Sequence, residues 1–187
     1  MLDVANDDGA IVKSSVRFTA RTSDTLLTVK SWLPEHLHGQ AQLSFGGCEL
    51  PSEVGATRPG PIRVLSLAPG EWLLVSEKPR IVSFQRYVVP ELSALGLTAI
   101  DVSAGFAIVR VCGSAARDML SKGCALDLER RAFAAGQCAR TRFAQIQLII
   151  DCIEDPGTFD LYVGRSYLRY LIDWLDDATI EFKEGEP

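Results

Sequence analysis

The two histidines of the chain are the first residues whose chemistry matters, because imidazole can bind a metal or act as a general base. His36 and His38 follow Glu35, and Cys48 lies further along the chain. In an extended segment the two imidazoles would share one face and could bind a metal together with Glu35 or Cys48. An exposed loop carrying both histidines is the interpretation we favour, so we expect no metal site.

The scarcity of histidine restricts the enzymatic mechanisms open to the chain. A Ser-His-Asp or Cys-His triad would have to use one of these two residues. The sequence contains no GxGxxG, GxxxxGK[ST] or HExxH motif. The cysteines are odd in number, widely spaced and without a CxxC motif, which is typical of buried, reduced thiols: Cys48, Cys112, Cys124, Cys138 and Cys152. We therefore predict no catalytic, cofactor-binding or metal-binding residue in this chain.

The net charge of −5 comes from 24 acidic and 19 basic residues, and the acidic excess lies at the C-terminal end. From Asp173 onwards the chain has six acidic residues and one basic residue, Lys183. The remainder is neutral, whereas nucleic acids and anionic membranes require a basic face. We expect neither of these as a partner.

The first residues, Met1 to Asp8, lack the basic region and apolar run of a secretory signal. The most apolar stretches, such as residues 72–75 and 147–153, are far shorter than the roughly 18 residues that span a bilayer. We therefore expect a cytoplasmic protein.

Alternating apolar residues and turn signals predict the elements that position these side chains. Strands are expected at 16–22, 26–32, 42–45, 62–67, 71–76, 97–102, 106–112, 137–143, 147–153 and 159–163. Helices are expected from about Arg80 to Gly96 with a break at Pro90, after Ser114, and from Ser166 to Ala178, with both serines as N-caps. Ala68-Pro69-Gly70 is expected to form a hairpin in which glycine supplies the positive φ, and in Asp155-Pro156-Gly157 glycine is expected to take the left-handed position of a turn. This order predicts an α+β fold of antiparallel sheets with helices on one face.

A loop rich in proline and glycine, residues 46–61, is the best candidate boundary. We expect a strand-rich N-terminal segment over 1–60 and a main α+β body with an acidic tail over 61–187.

Five blocks in order carry a resemblance to a known family. They read LAPGEWLLV at 67–75, DVSAGFAIVRVCGSAARDML at 101–120, GCALDL at 123–128, RAFAAGQCART at 131–141 and FDLYVGRS at 159–166. In these blocks the chain resembles the gamma subunits of heterotetrameric sarcosine oxidase, which are related to the folate-binding aminomethyltransferase superfamily. The resemblance covers about residues 60–178.

The resemblance implies split-βαβ, ferredoxin-like units. It also implies an accessory, non-catalytic role in a flavoenzyme that oxidatively demethylates sarcosine to glycine, with folate as one-carbon acceptor. In that family FAD, FMN, NAD and tetrahydrofolate belong to the large subunits and zinc to the delta subunit, and the gamma chain carries none. The partners would be alpha, beta and delta subunits, with alpha in direct contact.

Local signals mark the candidate interface or motif residues. Asp101 and Ser103 lie between two strands, where short polar side chains bond the backbone of a turn or, alternatively, a ligand. Gly113 places a helix N-terminus at a strand end, where capping or anion binding is expected. Arg130 and Arg131 follow Asp127 in a loop that also carries Phe133, which indicates either an interface or a solvated basic loop.

The chain departs from the aminomethyltransferases where they carry functional groups. Those enzymes resemble this chain around the strand beginning near residue 147, but their aspartate pair is replaced here by Ile146 and Gln147, and an asparagine is replaced near Gly164 and Arg165. Without a carboxylate, charge stabilisation of an amine has no evident source. Two alternatives remain open. One is a stand-alone folate- or pterin-binding or aminomethyltransferase-like module that depends on Asp101 or Arg165. The other is the same accessory role in a complex acting on another N-methyl amino acid.

Overall fold

The computed structural model describes residues 15–21, 25–31, 43–45, 48–76 and 89–182. Within these ranges the strands are β1 (Arg17–Arg21), β2 (Thr25–Ser31), β3 (Leu43–Phe45), β4 (Cys48–Leu50), β5 (Thr57–Arg58), β6 (Arg63–Ala68), β7 (Glu71–Ser76), β8 (Leu97–Asp101), β9 (Phe106–Cys112), β10 (Cys138–Phe143), β11 (Ile146–Glu154) and β12 (Thr158–Gly164). The same ranges contain the α-helices α1 (Ala116–Ser121) and α2 (Leu168–Thr179). Residues 89–94 are also helical, and short 3₁₀ turns cover Ser103–Gly105, Arg165–Tyr167 and Ile180–Phe182.

These strands form two five-stranded antiparallel sheets and one small ribbon. The first sheet has the order β1-β9-β12-β11-β10 and the second the order β5-β6-β7-β2-β8, while β3 pairs with β4. The predicted α+β class with antiparallel sheets is therefore confirmed.

The two large sheets pack face to face, and helices cover their outer faces. Apolar residues of both sheets meet between them, including Leu26, Leu65 and Leu73 from the second sheet and Ile108 and Ile149 from the first. The outer face of the first sheet packs under α1 and α2. The outer face of the second sheet packs against β4 and Leu92 of the helical stretch. Central strands such as β7 and β12 therefore divide their alternate side chains between two apolar layers.

The hairpin predicted at Ala68-Pro69-Gly70 joins β6 to β7, and Gly70 has the expected positive φ of 68°. The predicted strands that lie in the described ranges are present. The loop predicted over 46–61 contains the short strands β4 and β5. The helix predicted from Arg80 lies partly outside the described residues. β1 and β2 pair with strands from beyond residue 61, and the boundary near residue 60 stays a prediction.

Both predicted serine caps are wrong. α1 begins after Ala115, and no side chain caps it. The N–H groups of Ala115 and Ala116 instead donate to main-chain oxygens, those of Ser15 and Gly113 respectively. Ser166 lies inside the 3₁₀ turn Arg165–Tyr167, which delays the start of α2 to Leu168. The sequence pattern identified both helices but not the main-chain atoms that satisfy their first turns.

The left-handed conformation predicted for Gly157 is also wrong, since Gly157 is not among the glycines with positive φ. A Cβ at this position would lie 2.4 Å from the carbonyl oxygen of Gly113. Glycine is required here because two chain segments approach closely.

Candidate functional site

The inner face of the first sheet carries a row of polar residues that crosses all five strands. Strand register places Thr19, Arg110, Asp160, Asp151 and Cys138 side by side on β1, β9, β12, β11 and β10. The alternate residues of these strands point towards the helices and form the apolar core. The two carboxylates therefore lie on neighbouring strands in the layer between the sheets, where an unpaired charge is costly.

Asp160 is held by two arginines of its own sheet. Its carboxylate accepts hydrogen bonds from Arg110 Nε and Nη2, both at 2.8 Å, and from Arg21 Nη2 at 3.2 Å. The Asp160 side chain is 2% exposed. This geometry fixes Asp160 as an ion-pair partner of Arg110 and Arg21 and positions both guanidinium groups.

Asp151 is paired across the two sheets. Arg63, which comes from β6 of the second sheet, donates from Nε to Oδ2 at 2.5 Å and from Nη2 to Oδ1 at 2.6 Å. Arg63 Nη2 also donates to Thr57 Oγ1 at 3.0 Å, and the Tyr162 hydroxyl donates to Asp151 Oδ2 at 3.4 Å. The completely buried Asp151 thus has a charged and a neutral donor.

Burial dominates the electrostatics of this layer. It raises the pKa of Asp151, and the hydrogen bonds from Arg63 oppose that rise. Burial also raises the pKa of Tyr162 well above its ordinary value and that of the Cys138 thiol to about 12. Tyr162 and Cys138 therefore stay protonated at neutral pH and are poorly suited to act as a base or a nucleophile.

A cleft of about 580 Å³ opens beside the ion pairs. Arg21, Arg63, Arg110, Asp160 and Tyr162 form its polar wall. Loop residues Pro59, Gly60 and Pro61 contribute another part of the lining. Each guanidinium group of the wall is already held by a buried carboxylate, and one of these pairs, Arg63–Asp151, joins the two sheets.

A second cleft, of about 350 Å³, lies on the same inner face near the ends of β10 and β11. Phe106, Ile149 and Tyr162 provide apolar surface in its lining, and Leu148 adds to it. Its polar lining consists of Arg140, Thr141, Arg142 and Gln147. Among the described residues that line it, none is a carboxylate. Gln147 stands at the position compared above with the aminomethyltransferase aspartates.

Three of the predicted candidate residues come together at one turn beside this second cleft. Asp101 Oδ1 accepts hydrogen bonds from Ser103 N at 2.9 Å and from Ser103 Oγ at 2.6 Å. Arg165 donates from Nε to Ala104 O at 2.8 Å and from Nη2 to Phe106 O at 2.9 Å. The side chains therefore bond the backbone of the turn, as expected for short polar residues between strands.

The other candidates lie elsewhere. Gly113 has a φ of 138°, and a Cβ there would lie 2.0 Å from Ser15 O. Asp127 accepts the N–H of Glu129 at 2.9 Å within its own loop.

Arg130 Nε lies 3.6 Å from Asp155, and Arg131 Nε lies 2.8 Å from Glu129. Both arginines are well exposed, but Phe133 is buried in the core under α1. An exposed pair of Phe133 with these arginines is therefore not formed.

The histidines and Glu35, considered above as metal ligands, lie outside the described residues, and Cys48 is buried. Within the part of the chain that the structure describes, no three His, Cys, Asp or Glu side chains are grouped so that they could hold a metal ion. No helix formed by those same residues is long and apolar enough to cross a membrane.

The buried ion pairs Arg63–Asp151, between the sheets, and Arg110–Asp160, within the first sheet, were not predicted from the sequence. A signal was present, because Arg63, Arg110, Asp151 and Asp160 are single charges inside otherwise apolar strands. Such residues require partners when buried. Choosing the partners requires the strand order, since the members of each pair come from distant parts of the chain.

Solved structures with a similar fold include chains of two enzymes. A heterotetrameric sarcosine oxidase from Corynebacterium sp. U-96, solved in complex with pyrrole 2-carboxylate, has a chain that matches with a TM-score of 0.78 and 23% identity, over 94% of this chain and 90% of that one. The glycine cleavage system aminomethyltransferase T from Bartonella henselae matches with a TM-score of 0.60 and 13% identity, over 89% and 47%. At these identities both comparisons show a shared fold.

Curated relatives and a family model add sequence evidence. The sarcosine oxidase subunit gamma of Corynebacterium sp. (strain P-1) is 29% identical over 73% of this chain and 66% of its own length. Those of Corynebacterium sp. (strain U-96) and Arthrobacter sp. are each 29% identical, over 79% and 77% of this chain and 72% and 71% of their own lengths. The model of the sarcosine oxidase, gamma subunit family matches residues 38–181. The chain therefore belongs to the sarcosine oxidase gamma subunit family.

Proposed function

We propose that this chain is an accessory, non-catalytic subunit of a heterotetrameric sarcosine oxidase, an enzyme that oxidatively demethylates sarcosine to glycine. The family match over residues 38–181 is the observation that carries this proposal. The fold shared with a chain of the solved Corynebacterium enzyme supports it.

The state of the ionisable groups supports a non-catalytic role. The buried Asp151 and Asp160 are engaged by arginines, and burial keeps Tyr162 protonated. Gln147 lines the smaller cleft, and the described lining residues there include no carboxylate to stabilise a developing cation. A chain built in this way contributes structure and contacts to an assembly.

Partners and cofactors follow from this proposal. The chain would assemble with alpha, beta and delta subunits and contact alpha directly. FAD, FMN, NAD and tetrahydrofolate would be bound by the large subunits and zinc by delta. The other chains would also decide whether the substrate is sarcosine or another N-methyl amino acid.

Co-expression tests the proposal. The full chain is produced with the three candidate partner subunits of its own organism, purified through a tag on alpha and analysed by size-exclusion chromatography. We expect all four chains in one peak with sarcosine-dependent activity, and no activity from this chain alone. Migration of this chain as a free monomer beside every partner, or turnover by the isolated chain, would contradict the proposal.

The smaller cleft keeps one alternative function open. Its apolar surface from Phe106 and Ile149 lies beside Arg140 and Arg142, and Arg165 holds the turn next to it. A folate- or pterin-binding module would give measurable heat on calorimetric titration with tetrahydrofolate, and substitution of Asp101 or Arg165 would abolish that heat. Absence of heat at millimolar ligand would exclude this alternative.

A further inference from the structure

We propose that the smaller cleft docks an acidic segment of another subunit of the complex, an inference that rests on the proposed function. This smaller cleft is lined by Phe106, Arg140, Thr141, Arg142, Gln147, Leu148, Ile149 and Tyr162. Its occupant would place an aspartate or glutamate side chain at the arginines and a neighbouring apolar side chain on the floor.

The arginine that faces the cleft from the β10–β11 hairpin has only neutral partners among its hydrogen bonds in the described structure. Arg142 donates from Nε to Ala144 O at 3.0 Å and from Nη2 to the Gln145 side-chain oxygen at 3.2 Å. Arg165, beside Phe106, likewise donates to main-chain carbonyls. These contacts fix the guanidinium groups in place without neutralising their charge.

Arg140, two residues before Arg142 on the same face of β10, also lines the cleft and lies next to a further cation, Lys30. Arg140 and Lys30 share one carboxylate, that of Glu71, with Lys30 Nζ 3.6 Å from its Oε2. The side chains of Arg140 and Lys30 are about half exposed. Around the cleft, the described residues thus include four cationic side chains against Glu71 and the turn carboxylate Asp101. A positive patch on a chain of net charge −5 orients one surface towards an acidic partner.

The floor favours a protein segment as the occupant. Ile149 and Tyr162 are buried, and Phe106 is partly buried against them. An aromatic and aliphatic floor bordered by arginines matches the composition of protein interfaces, in which arginine and aromatic residues are enriched and apolar side chains provide the centre. A carboxylate flanked by an apolar side chain complements both features.

Charge reversal in the co-expressed complex tests this inference. Arg142→Glu should weaken assembly at least about tenfold and reduce the salt dependence of binding, whereas Arg142→Lys should bind within about threefold of the parent chain. Arg169→Glu is the matched control: it makes the same charge change at an exposed arginine of α2, on the outer face of the first sheet, where it pairs with Asp173, and it should leave binding unchanged. Circular dichroism and thermal melting verify that each variant is folded.

Hydrogen exchange on the unsubstituted chain provides a second readout. In the complex, backbone amides of residues 140–149 should exchange at least about tenfold more slowly than in the free chain. Equal binding by Arg142→Glu, or unchanged exchange in this hairpin within an assembled complex, would overturn the docking site while leaving the proposed function intact. Failure of the parent chain to assemble with any partner would overturn both.

Discussion

Arg63 of β6 and Asp151 of β11 form a two-point ion pair that joins the two sheets, with distances of 2.5 Å from Nε to Oδ2 and 2.6 Å from Nη2 to Oδ1. Burial acts to lower the pKa of Arg63, but the hydrogen bonds and charge of Asp151 outweigh it and raise that pKa. Arg63 therefore carries its positive charge at every pH at which the chain folds.

Removal of Arg63 should destabilise the chain strongly. Arg63→Met leaves the completely buried Asp151 without its cationic partner, which should cost about 3–5 kcal/mol of unfolding free energy. The double variant Arg63→Met/Asp151→Leu should recover most of this loss, since it removes both charges. Urea unfolding followed by circular dichroism measures both effects.

A surface ion pair provides the comparison. Arg58 Nε lies 3.6 Å from Glu49 Oε2, and both side chains are about half exposed. Arg58→Met should therefore change the unfolding free energy by less than about 1 kcal/mol. Similar losses of unfolding free energy from Arg63→Met and Arg58→Met would show that the buried inter-sheet pair contributes no more to stability than a surface pair.

The strands were predicted because apolar residues alternate along them and turn residues bound them, and the turn chemistry of Gly70 predicted the hairpin between β6 and β7. The sequence pattern also placed Asp101 and Ser103 in a turn that their side chains stabilise. These features depend on neighbouring residues, whose preferences can be read locally.

The inter-sheet network could not be predicted in the same way. Asp151 and Asp160 become neighbours only through the pairing of β11 with β12, and Arg63 reaches Asp151 only because the second sheet packs on the first. Phe133 shows the same limit for an apolar residue. It lies in a polar loop, where the sequence indicated an interface or a solvated position, but its side chain is buried in the core together with residues of α1. Burial and register are tertiary properties, and a single sequence constrains them weakly.

Gly113 should tolerate no side chain. Gly113→Ala places a Cβ 2.0 Å from Ser15 O at a φ of 138°, so we expect a loss of more than about 2 kcal/mol in urea unfolding. Gly105→Ala is the control, because its Cβ would meet nothing within 4 Å and its φ is ordinary. That variant should be neutral or more stable by up to about 1 kcal/mol. Equal effects of the two substitutions would refute the close approach.

Stability should fall at acidic pH because two carboxylates have lowered pKa values in the folded chain. The hydrogen bond from Arg140 lowers the pKa of Glu71 below its usual 4.5. Burial alone would raise the pKa of Asp155, but the hydrogen bonds from Arg117 and the Ala135 N–H, together with the positive charges of Arg117 and Arg130, outweigh it and lower that pKa below 3.8. As the pH falls, the unfolded chain binds protons first, so this stabilisation is present above pH 4.5 and is lost as the pH falls through the folded values.

The variant Glu71→Gln isolates one of these contributions. Between pH 7 and pH 3 its unfolding free energy should change less than that of the parent, and Arg140→Gln should show the same reduced slope because it removes the partner. Asp151 acts in the opposite direction, since its raised pKa favours the folded chain at low pH, but it is unchanged in both variants. An unaltered pH dependence would mean that the Glu71–Arg140 pair does not form in solution.

The cysteines should divide into protected and reactive groups. Burial raises the pKa of Cys138 to about 12 and that of Cys152 to about 11, so at pH 8 the thiolate fraction of Cys138 is about one part in ten thousand. Cys48 is also buried, whereas Cys112 and Cys124 are partly exposed. Iodoacetamide labelling with mass spectrometry should modify Cys112 and Cys124 first and reach the other three only in urea. Rapid labelling of Cys138 in the native chain would show that the layer between the sheets opens readily, because that thiol lies among buried residues of both sheets.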